Sequence, residues 1–235
     1  MSVSHSPITH VIYDMDGLLL DTEPFYTQVT RKIVSRYGHT FDWNLKSRMI
    51  GKKAIDSARI LVDALKLPIR PEEYLLEREA MLAELFPTAE PMPGAVRLTL
   101  HLAKHGIPQA VASSSDRRQF ELKTMRHRNW FERFQCIVLG DDPEVRRGKP
   151  APDIFLTAAA RMGAQNESCL VLEDAPSGVE AAREAGMSVV AIPNPGMSPA
   201  SFGNGLLILS SLESFAPKIW GLPAFDEIGD REQYP

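Results

Sequence analysis

Five short apolar runs, rich in β-branched residues, are spaced along the chain, and helical patterns separate the last four. Alternation of short buried strands with helices is typical of strand-helix units around a parallel sheet. The runs predicted as strands are Val11–Tyr13, Gln109–Ala112, Cys136–Leu139, Cys169–Leu172 and Ser188–Ile192. Two of the intervening helices are predicted at Ile154–Arg161 and Val179–Ala185. The pattern therefore predicts an α/β fold with a Rossmann-like parallel-sheet core.

Residues 20–91 show a different pattern, with helical periodicity and no convincing strand. Gly38 and Pro71 are placed where a helix is expected to end and to begin. Because the first strand and the later strands belong to one sheet, residues 20–91 are predicted to be a helical insertion. The core then consists of residues 1–19 and 92–235. The helices predicted in the insertion are Pro24–Tyr37, Lys53–Leu65 and Pro71–Phe86.

Composition limits the kinds of partner. Of the 235 residues, 44% are hydrophobic and 24% charged, as in a globular protein with a sizeable core. A formal net charge of -4 argues against a large basic face for nucleic acid or an anionic membrane. Cys136 and Cys169 lack the spacing of a disulfide framework or zinc site. Without a signal-peptide or membrane-span pattern, a cytoplasmic protein is expected, with a monomer as the default.

The first strand is followed by two carboxylates separated by one residue. In the sequence Asp14-Met15-Asp16-Gly17, Asp14 ends the strand and Asp16 lies on a turn that Gly17 permits. A carboxylate can attack phosphorus if a cation offsets the repulsion between two anions. Taken alone, the pattern fits equally well a strand-ending aspartate that caps the next element, followed by a turn. The residues at the other strand ends are therefore needed to distinguish a catalytic role from a capping role.

Two later segments offer groups that bind phosphate. Ser113 and Ser114 follow the second strand, where hydroxyls and main-chain N–H groups can surround an anion. On local grounds, capping of the next helix, with Ser115 or Asp116 as the N-cap, explains this segment better. Lys149 lies between Gly148 and Pro150, so it is predicted to present a fixed positive charge to a phosphate and to the nucleophilic carboxylate.

A second pair of acids, Glu173 and Asp174, follows the fourth predicted strand. Carboxylate oxygens are the hard ligands that octahedral Mg²⁺ prefers. Capping of the next helix and interaction with its dipole is the alternative role. Because ligands bind at the carboxyl ends of strands in open parallel sheets, two acid pairs at strand ends favour a magnesium site.

Four segments, in order, resemble the signature motifs of haloacid dehalogenase (HAD) superfamily hydrolases that carry a small helical cap. The segments are DMDGLLLDTE, VASSS, GKPAPD and LEDAPSG. The resemblance covers most of the chain at compatible spacing, and it is specific as a set. It implies that residues 20–91 are the cap domain and that the protein is a Mg²⁺-dependent phosphatase.

The resemblance also implies a role for each matching residue. Asp14 would be the nucleophile and a metal ligand. Asp16 would be the general acid/base and would bind the metal through its main-chain carbonyl. The phosphate-binding residues would be Ser113, Ser114 and Lys149, and the remaining metal ligands would be Glu173 and Asp174.

Longer segments, including LKSRMIGKKAIDSA, LKTMRHRNWF and DDPEVRRGKPAPDIF, resemble the branch that contains pseudouridine-5'-phosphatases and glycerol-3-phosphatases. This resemblance implies a small phosphorylated metabolite as substrate, with pseudouridine 5'-phosphate or a related nucleotide ahead of glycerol 3-phosphate. Substrate choice is expected to depend on the cap. Arg48, Lys52 and Lys53 are the candidate cap contacts, and Lys53 is the substrate residue predicted; a solvated basic face explains these three equally well.

The nearest rival enzyme is a sugar phosphomutase of the β-phosphoglucomutase type, which uses the same aspartyl phosphate. That family has a histidine and an arginine at places that here hold Tyr26 and Ala54, so the sequence disfavours a mutase. A haloacid dehalogenase would need neither Asp16 nor the second acid pair. A non-catalytic binding protein is expected to lack a signature acid, and all are present.

Overall fold

The structure, a computed structural model, describes residues 7–50 and 54–226. These residues form two compact units. The cap unit is Thr22–Ala89, and the core unit comprises the described residues up to Asp21 and from Glu90 onward. The insertion predicted from the sequence, residues 20–91, extends two residues further at each end than the cap unit.

The core unit contains one parallel sheet of six strands, in the order β3-β2-β1-β4-β5-β6. All five predicted strands are confirmed, each to within one residue at its ends. The two-residue strand β6 was not predicted, because it is too short to show a pattern. The strands are β1 (His10–Tyr13), β2 (Gln109–Ser113), β3 (Cys136–Leu139), β4 (Cys169–Glu173), β5 (Ser188–Ala191) and β6 (Leu207–Ile208).

The described residues of the cap unit form four α-helices, one more than predicted. The additional helix is short, and Leu45 is its one buried residue, so it has no apolar stripe to reveal it. Asp42 caps it by accepting a hydrogen bond from the N–H of Leu45 at 2.9 Å. The helices are α1 (Glu23–Ser35), α2 (Trp43–Met49), α3 (Ala54–Leu65) and α4 (Pro71–Leu85).

Helices of the core unit cover the sheet. Successive strand residues point to opposite faces, and Val11, Ile12 and Tyr13 are all fully buried, so both faces of the sheet are covered at β1. No helix within residues 7–50 and 54–226 is both long and apolar enough to cross a membrane. The core helices are α5 (Ala95–Lys104), α6 (Arg117–Lys123), α7 (Arg128–Phe131), α8 (Asp153–Met162) and α9 (Pro176–Glu184).

The register of the central strands determines which residues meet at the carboxyl edge of the sheet. Tyr13, the last residue of β1, is aligned with Val111 of β2 and with Leu172 of β4. Strand β1 therefore ends beside the ends of its two neighbours. The order β3-β2-β1-β4 also changes direction at β1, and ligands bind at such a point in open α/β sheets.

Candidate active site

Asp14 is the first residue after β1, and the sheet holds its backbone in place. Its N–H donates to the carbonyl of Leu172 at 3.0 Å, which continues the pairing of β1 with β4. The side chain is largely buried, and its Oδ1 accepts a hydrogen bond from Lys149 Nζ at 2.6 Å. Strand pairing and a charged partner therefore both orient this carboxylate.

Lys149 connects the ends of three strands. Its Nζ donates to Asp14 Oδ1 and to Glu173 Oε1, both at 2.6 Å, and to the carbonyl oxygen of Ala112 at 3.1 Å. The lysine side chain is 6% exposed. An ammonium group has three donors, and these three acceptors use all of them. Its position at the end of β1 is thereby fixed.

The charges of this group do not cancel, because one ammonium faces two carboxylates. The pKa of Asp14 is raised to about 7, chiefly by burial; Lys149 opposes this rise, while Glu173 and Asp16 add to it. Burial opposes the charge of Lys149, but Asp14 and Glu173 outweigh that effect and raise the pKa of Lys149 above its ordinary value. The chain alone therefore carries excess negative charge that a bound cation would offset.

Glu173 and Asp174 have different surroundings although they are adjacent. Glu173 Oε1 accepts from Lys149, and its Oε2 accepts from the N–H of Ala175 at 2.8 Å. Asp174 Oδ2 accepts from Asn194 Nδ2 at 3.3 Å. Glu173 thus serves as the second partner of Lys149, and the role predicted for it as a metal ligand stays a prediction.

Asp16 lies on the turn after β1, on the side of β2. Its Oδ1 pairs with the ammonium of Lys123 at 2.6 Å. Its Oδ2 accepts from the hydroxyl of Ser115 at 2.9 Å and, at 3.4 Å, from that of Ser113. The structure therefore places Asp14 and Asp16 at one sheet edge, with a different lysine beside each.

The predicted phosphate-binding serines differ in exposure. Ser113 is buried at the end of β2, and its hydroxyl accepts from the N–H of Ser115 at 3.1 Å. Ser114 is exposed. Asp116, one of the two predicted caps, caps helix α6 by accepting from the N–H of Gln119 at 2.8 Å. Phosphate binding by Ser113 and Ser114 stays a prediction.

The sequence of this chain matches a known family over most of its length. A model for haloacid dehalogenase-like hydrolases matches residues 8–186. The chain belongs to this family. Its fold agrees, since a six-stranded parallel sheet is interrupted after β1 by the residues of the cap unit.

This HAD chain is similar in sequence or in fold to several named proteins. It is 50% identical over 225 residues to (DL)-glycerol-3-phosphatase 1, mitochondrial, of Arabidopsis thaliana, covering 94% of this chain and 76% of the relative. It is 44% identical to a "probable pseudouridine-5'-phosphatase" of Drosophila melanogaster, covering 94% and 96%. A crystal structure of a Deinococcus radiodurans HAD hydrolase with bound phosphate and sodium shares the fold, with a TM-score of 0.77, 23% identity and coverage of 93% and 99%. The chain is an HAD-type phosphatase of small phosphate esters.

Phosphatases of the HAD family generally use Mg²⁺, and the donor chemistry of the core unit fits this ion. Asp14 and Asp174, with the main-chain carbonyl of Asp16, are the oxygen donors that would hold it. Among the described residues, no three carboxylate, imidazole or thiolate groups form a ready-made cluster. Mg²⁺ usually takes one or two carboxylates and completes its shell with water and substrate phosphate oxygens, which such a donor set permits.

Gly17 brings the first acid pair close to the second. Its φ is +80°, and a Cβ added there would lie 2.5 Å from Asp174 Oδ2. We expect Gly17→Ala to cost about 1–2 kcal/mol in backbone strain. The methyl group would also displace the carboxylate of Asp174, so we expect a lower maximal rate and a higher Mg²⁺ concentration for half-maximal activity. Mg²⁺ titration of phosphate release measures both.

Gly106→Ala is the matched control for this substitution. Gly106 has a φ of +69°, and a Cβ there would meet nothing within 4 Å. The control is expected to lose similar stability but to keep the Mg²⁺ dependence of the wild-type protein. Equal Mg²⁺ titrations for both variants and the wild type would contradict the assignment of Asp174 to the metal site.

The candidate cap contacts are only partly described. Arg48 is exposed in the last turn of α2. Lys52 and Lys53 lie outside the described residues, so the predicted substrate contact of Lys53 stays a prediction.

The sequence did not identify two residues of this HAD site, Ser115 and Lys123. Ser115 was considered only as a helix cap. Lys123 ends the sequence RRQFELK, where a lysine in the last turn is the ordinary surface pattern of a helix. One sequence signal was available: Lys123 follows Phe120 by three residues, so the two side chains share a face of the helix. Both are buried in the structure.

Proposed function

We propose that this HAD phosphatase hydrolyses a small phosphate monoester in two steps, with Mg²⁺, through an aspartyl phosphate on Asp14. The observation that carries the proposal is the contact of Lys149 with both Asp14 and Glu173 at the end of the central strand. A buried cation held beside a carboxylate at a strand end suits a site where phosphate charge must be neutralised.

In the first step, a carboxylate oxygen of Asp14 forms a bond to phosphorus as the bond from phosphorus to the leaving oxygen breaks. Asp16 donates its proton to that oxygen, so the product leaves as an alcohol. Lys149 remains charged and offsets the negative charge that collects around phosphorus. Its two carboxylate partners favour the charged form.

In the second step, a water molecule attacks phosphorus and the bond from phosphorus to Asp14 breaks. Asp16, left ionised by the first step, accepts a proton from this water. Inorganic phosphate leaves, and Asp14 returns as a carboxylate. When bound, Mg²⁺ would reduce the repulsion between the carboxylate and the phosphate and polarise the phosphoryl oxygens.

Two substrates are candidates. The resemblance of the sequence favours pseudouridine 5'-phosphate or a related nucleotide, and the Drosophila relative named "probable pseudouridine-5'-phosphatase" is 44% identical. Glycerol 3-phosphate is supported by the 50% identity to the Arabidopsis enzyme. Both are small monoesters of an alcohol, so both leaving groups need the proton that Asp16 supplies. The cytoplasmic location and the monomeric state stay predictions.

The experiment is phosphate release with Mg²⁺ from a panel of small monoesters. The panel holds pseudouridine 5'-phosphate, uridine 5'-phosphate, glycerol 3-phosphate and β-glucose 1-phosphate. We expect kcat/KM to be highest for one of the first three. Excess EDTA should stop the reaction and added Mg²⁺ restore it. Full activity in EDTA would refute the magnesium proposal, and no release from any ester by folded protein would refute both substrate proposals.

A further inference from the structure

A fully buried lysine contacts the proposed general acid/base. The side chain of Lys123, in the last turn of α6, is 0% exposed. Its Nζ lies 2.6 Å from Asp16 Oδ1 and donates to the hydroxyl of Ser115 at 2.8 Å. This ammonium group is distinct from that of Lys149, which faces Asp14.

Ser115 completes a closed arrangement of three side chains. Its hydroxyl accepts from Lys123 and donates to Asp16 Oδ2 at 2.9 Å. Lys123 therefore binds one carboxylate oxygen of Asp16 directly and reaches the other through Ser115. A carboxylate held at both oxygens has its rotation restricted, so the arrangement selects one orientation of Asp16.

Packing alone does not account for a lysine at this place. Burying an ammonium group carries a large desolvation cost, and an apolar side chain of similar volume is often as stable or more so. Helix α6 already buries Phe120 on the same face. What an apolar residue at position 123 would not supply is a charged donor aimed at Asp16.

We propose that Lys123 is a positioning residue that, together with Ser115, orients the carboxylate of Asp16 for proton transfer. Lys123 acts through Asp16 and does not touch the substrate. The side chain of Asp16 is 22% exposed, so one side stays accessible while both oxygens are held. The inference rests on the proposed function, because it assumes that Asp16 exchanges protons with the leaving group and with water.

Leaving-group dependence tests this role. Glycerol 3-phosphate has an alkoxide leaving group that needs a proton, whereas the nitrophenolate of p-nitrophenyl phosphate needs little help. We expect Lys123→Met to lower kcat/KM, which reports the first step alone, by about 10- to 100-fold for the alkyl ester of the panel that is turned over best, a fraction of what proton transfer contributes. The value of kcat/KM for p-nitrophenyl phosphate should fall less than about threefold. Hydrolysis of the aspartyl phosphate, where Asp16 acts as a base, is common to both esters and does not enter this comparison.

The matched control is Lys104→Met, which removes an exposed lysine that pairs with Asp226 at 2.9 Å. It should match the wild type on both esters. A second comparison uses Asp16→Asn with and without Lys123→Met. If Lys123 acts through Asp16, adding Lys123→Met to Asp16→Asn should change kcat by less than about twofold.

Three results would overturn the inference. They are equal loss of kcat/KM on both esters, full additivity with Asp16→Asn, and wild-type kcat/KM of Lys123→Met on the alkyl ester. If Lys123→Met does not fold, Ser115→Ala removes one hydroxyl from the same arrangement and is judged by the same leaving-group comparison, with a smaller expected loss. A wild-type protein inactive on every ester would refute the proposed function and this inference with it, whereas an active wild type with an insensitive variant would refute this inference alone.

Discussion

Replacing Asp14 by asparagine is expected to abolish phosphate release, with kcat falling by at least roughly 10⁴-fold. The amide has nearly the shape of the carboxylate but cannot attack phosphorus, so no aspartyl phosphate forms. The fold should persist, since Lys149 keeps its contact with Glu173 at 2.6 Å. Substrate binding should be retained, because the variant removes a negative charge from a site that binds an anion.

Acid quenching with ³²P-labelled substrate measures the intermediate directly. The wild-type protein should carry a label that hydroxylamine releases, as expected of an acyl phosphate, and Asp14→Asn should carry none. Asp63→Asn, at an exposed position of the cap unit, is the matched control and should be labelled like the wild type. Wild-type turnover by Asp14→Asn would mean that another group is the nucleophile.

The second large effect is expected for Lys149→Met, which should lower kcat/KM by about 10²–10³-fold, since a preorganised charge is lost from the transition state. The variant also leaves two buried carboxylates without their counter-ion, at a cost of about 3–5 kcal/mol in the free energy of unfolding. Lys149 lowers the pKa of Asp14, so its removal should raise that pKa and move the acid limb of the rate profile to higher pH.

A double variant separates stability from catalysis. Adding Glu173→Gln to Lys149→Met removes one of the uncompensated carboxylates, so part of the stability should return. Glu173 raises the pKa of Asp14, and its neutralisation should therefore move the acid limb back toward lower pH. Activity should stay low, because the cation is still missing. Chemical denaturation and a pH series of kcat/KM measure the two effects, with Lys104→Met as the exposed-lysine control.

Most of the fold was predictable because its signals are local. Each central strand is a short apolar run that ends at a polar residue, and buried parallel strands produce that pattern. Helix α2 and strand β6 were missed for a common reason: each is too short to show a period. Helix α2 depends on Asp42 as its cap and on the burial of Leu45, which a periodicity in sequence does not display.

The candidate site was predictable only as far as its residues follow strands. Asp14 and Glu173 lie at the ends of adjacent strands, so their proximity follows from the register of β1 with β4. Lys149 reaches both from the loop before α8, with contacts at 2.6 Å. The ion pair of Lys123 with Asp16 could not be predicted in the same way. A lysine in a short helix is ordinarily solvated, and its burial depends on how α6 packs in three dimensions.

The central position of β1 has a consequence for how the protein is made. A ribosome delivers β1 first, but its neighbours β2 and β4 begin about 100 and 160 residues later, at Gln109 and Cys169. At a synthesis rate of about 5–20 residues per second, several seconds or longer pass between the synthesis of β1 and that of both neighbouring strands. The cap residues emerge in that interval, so they can begin folding before any sheet exists. Asp14 is thus synthesised early, but it can contact both Lys149 and Glu173 only after nearly three quarters of the chain has been made.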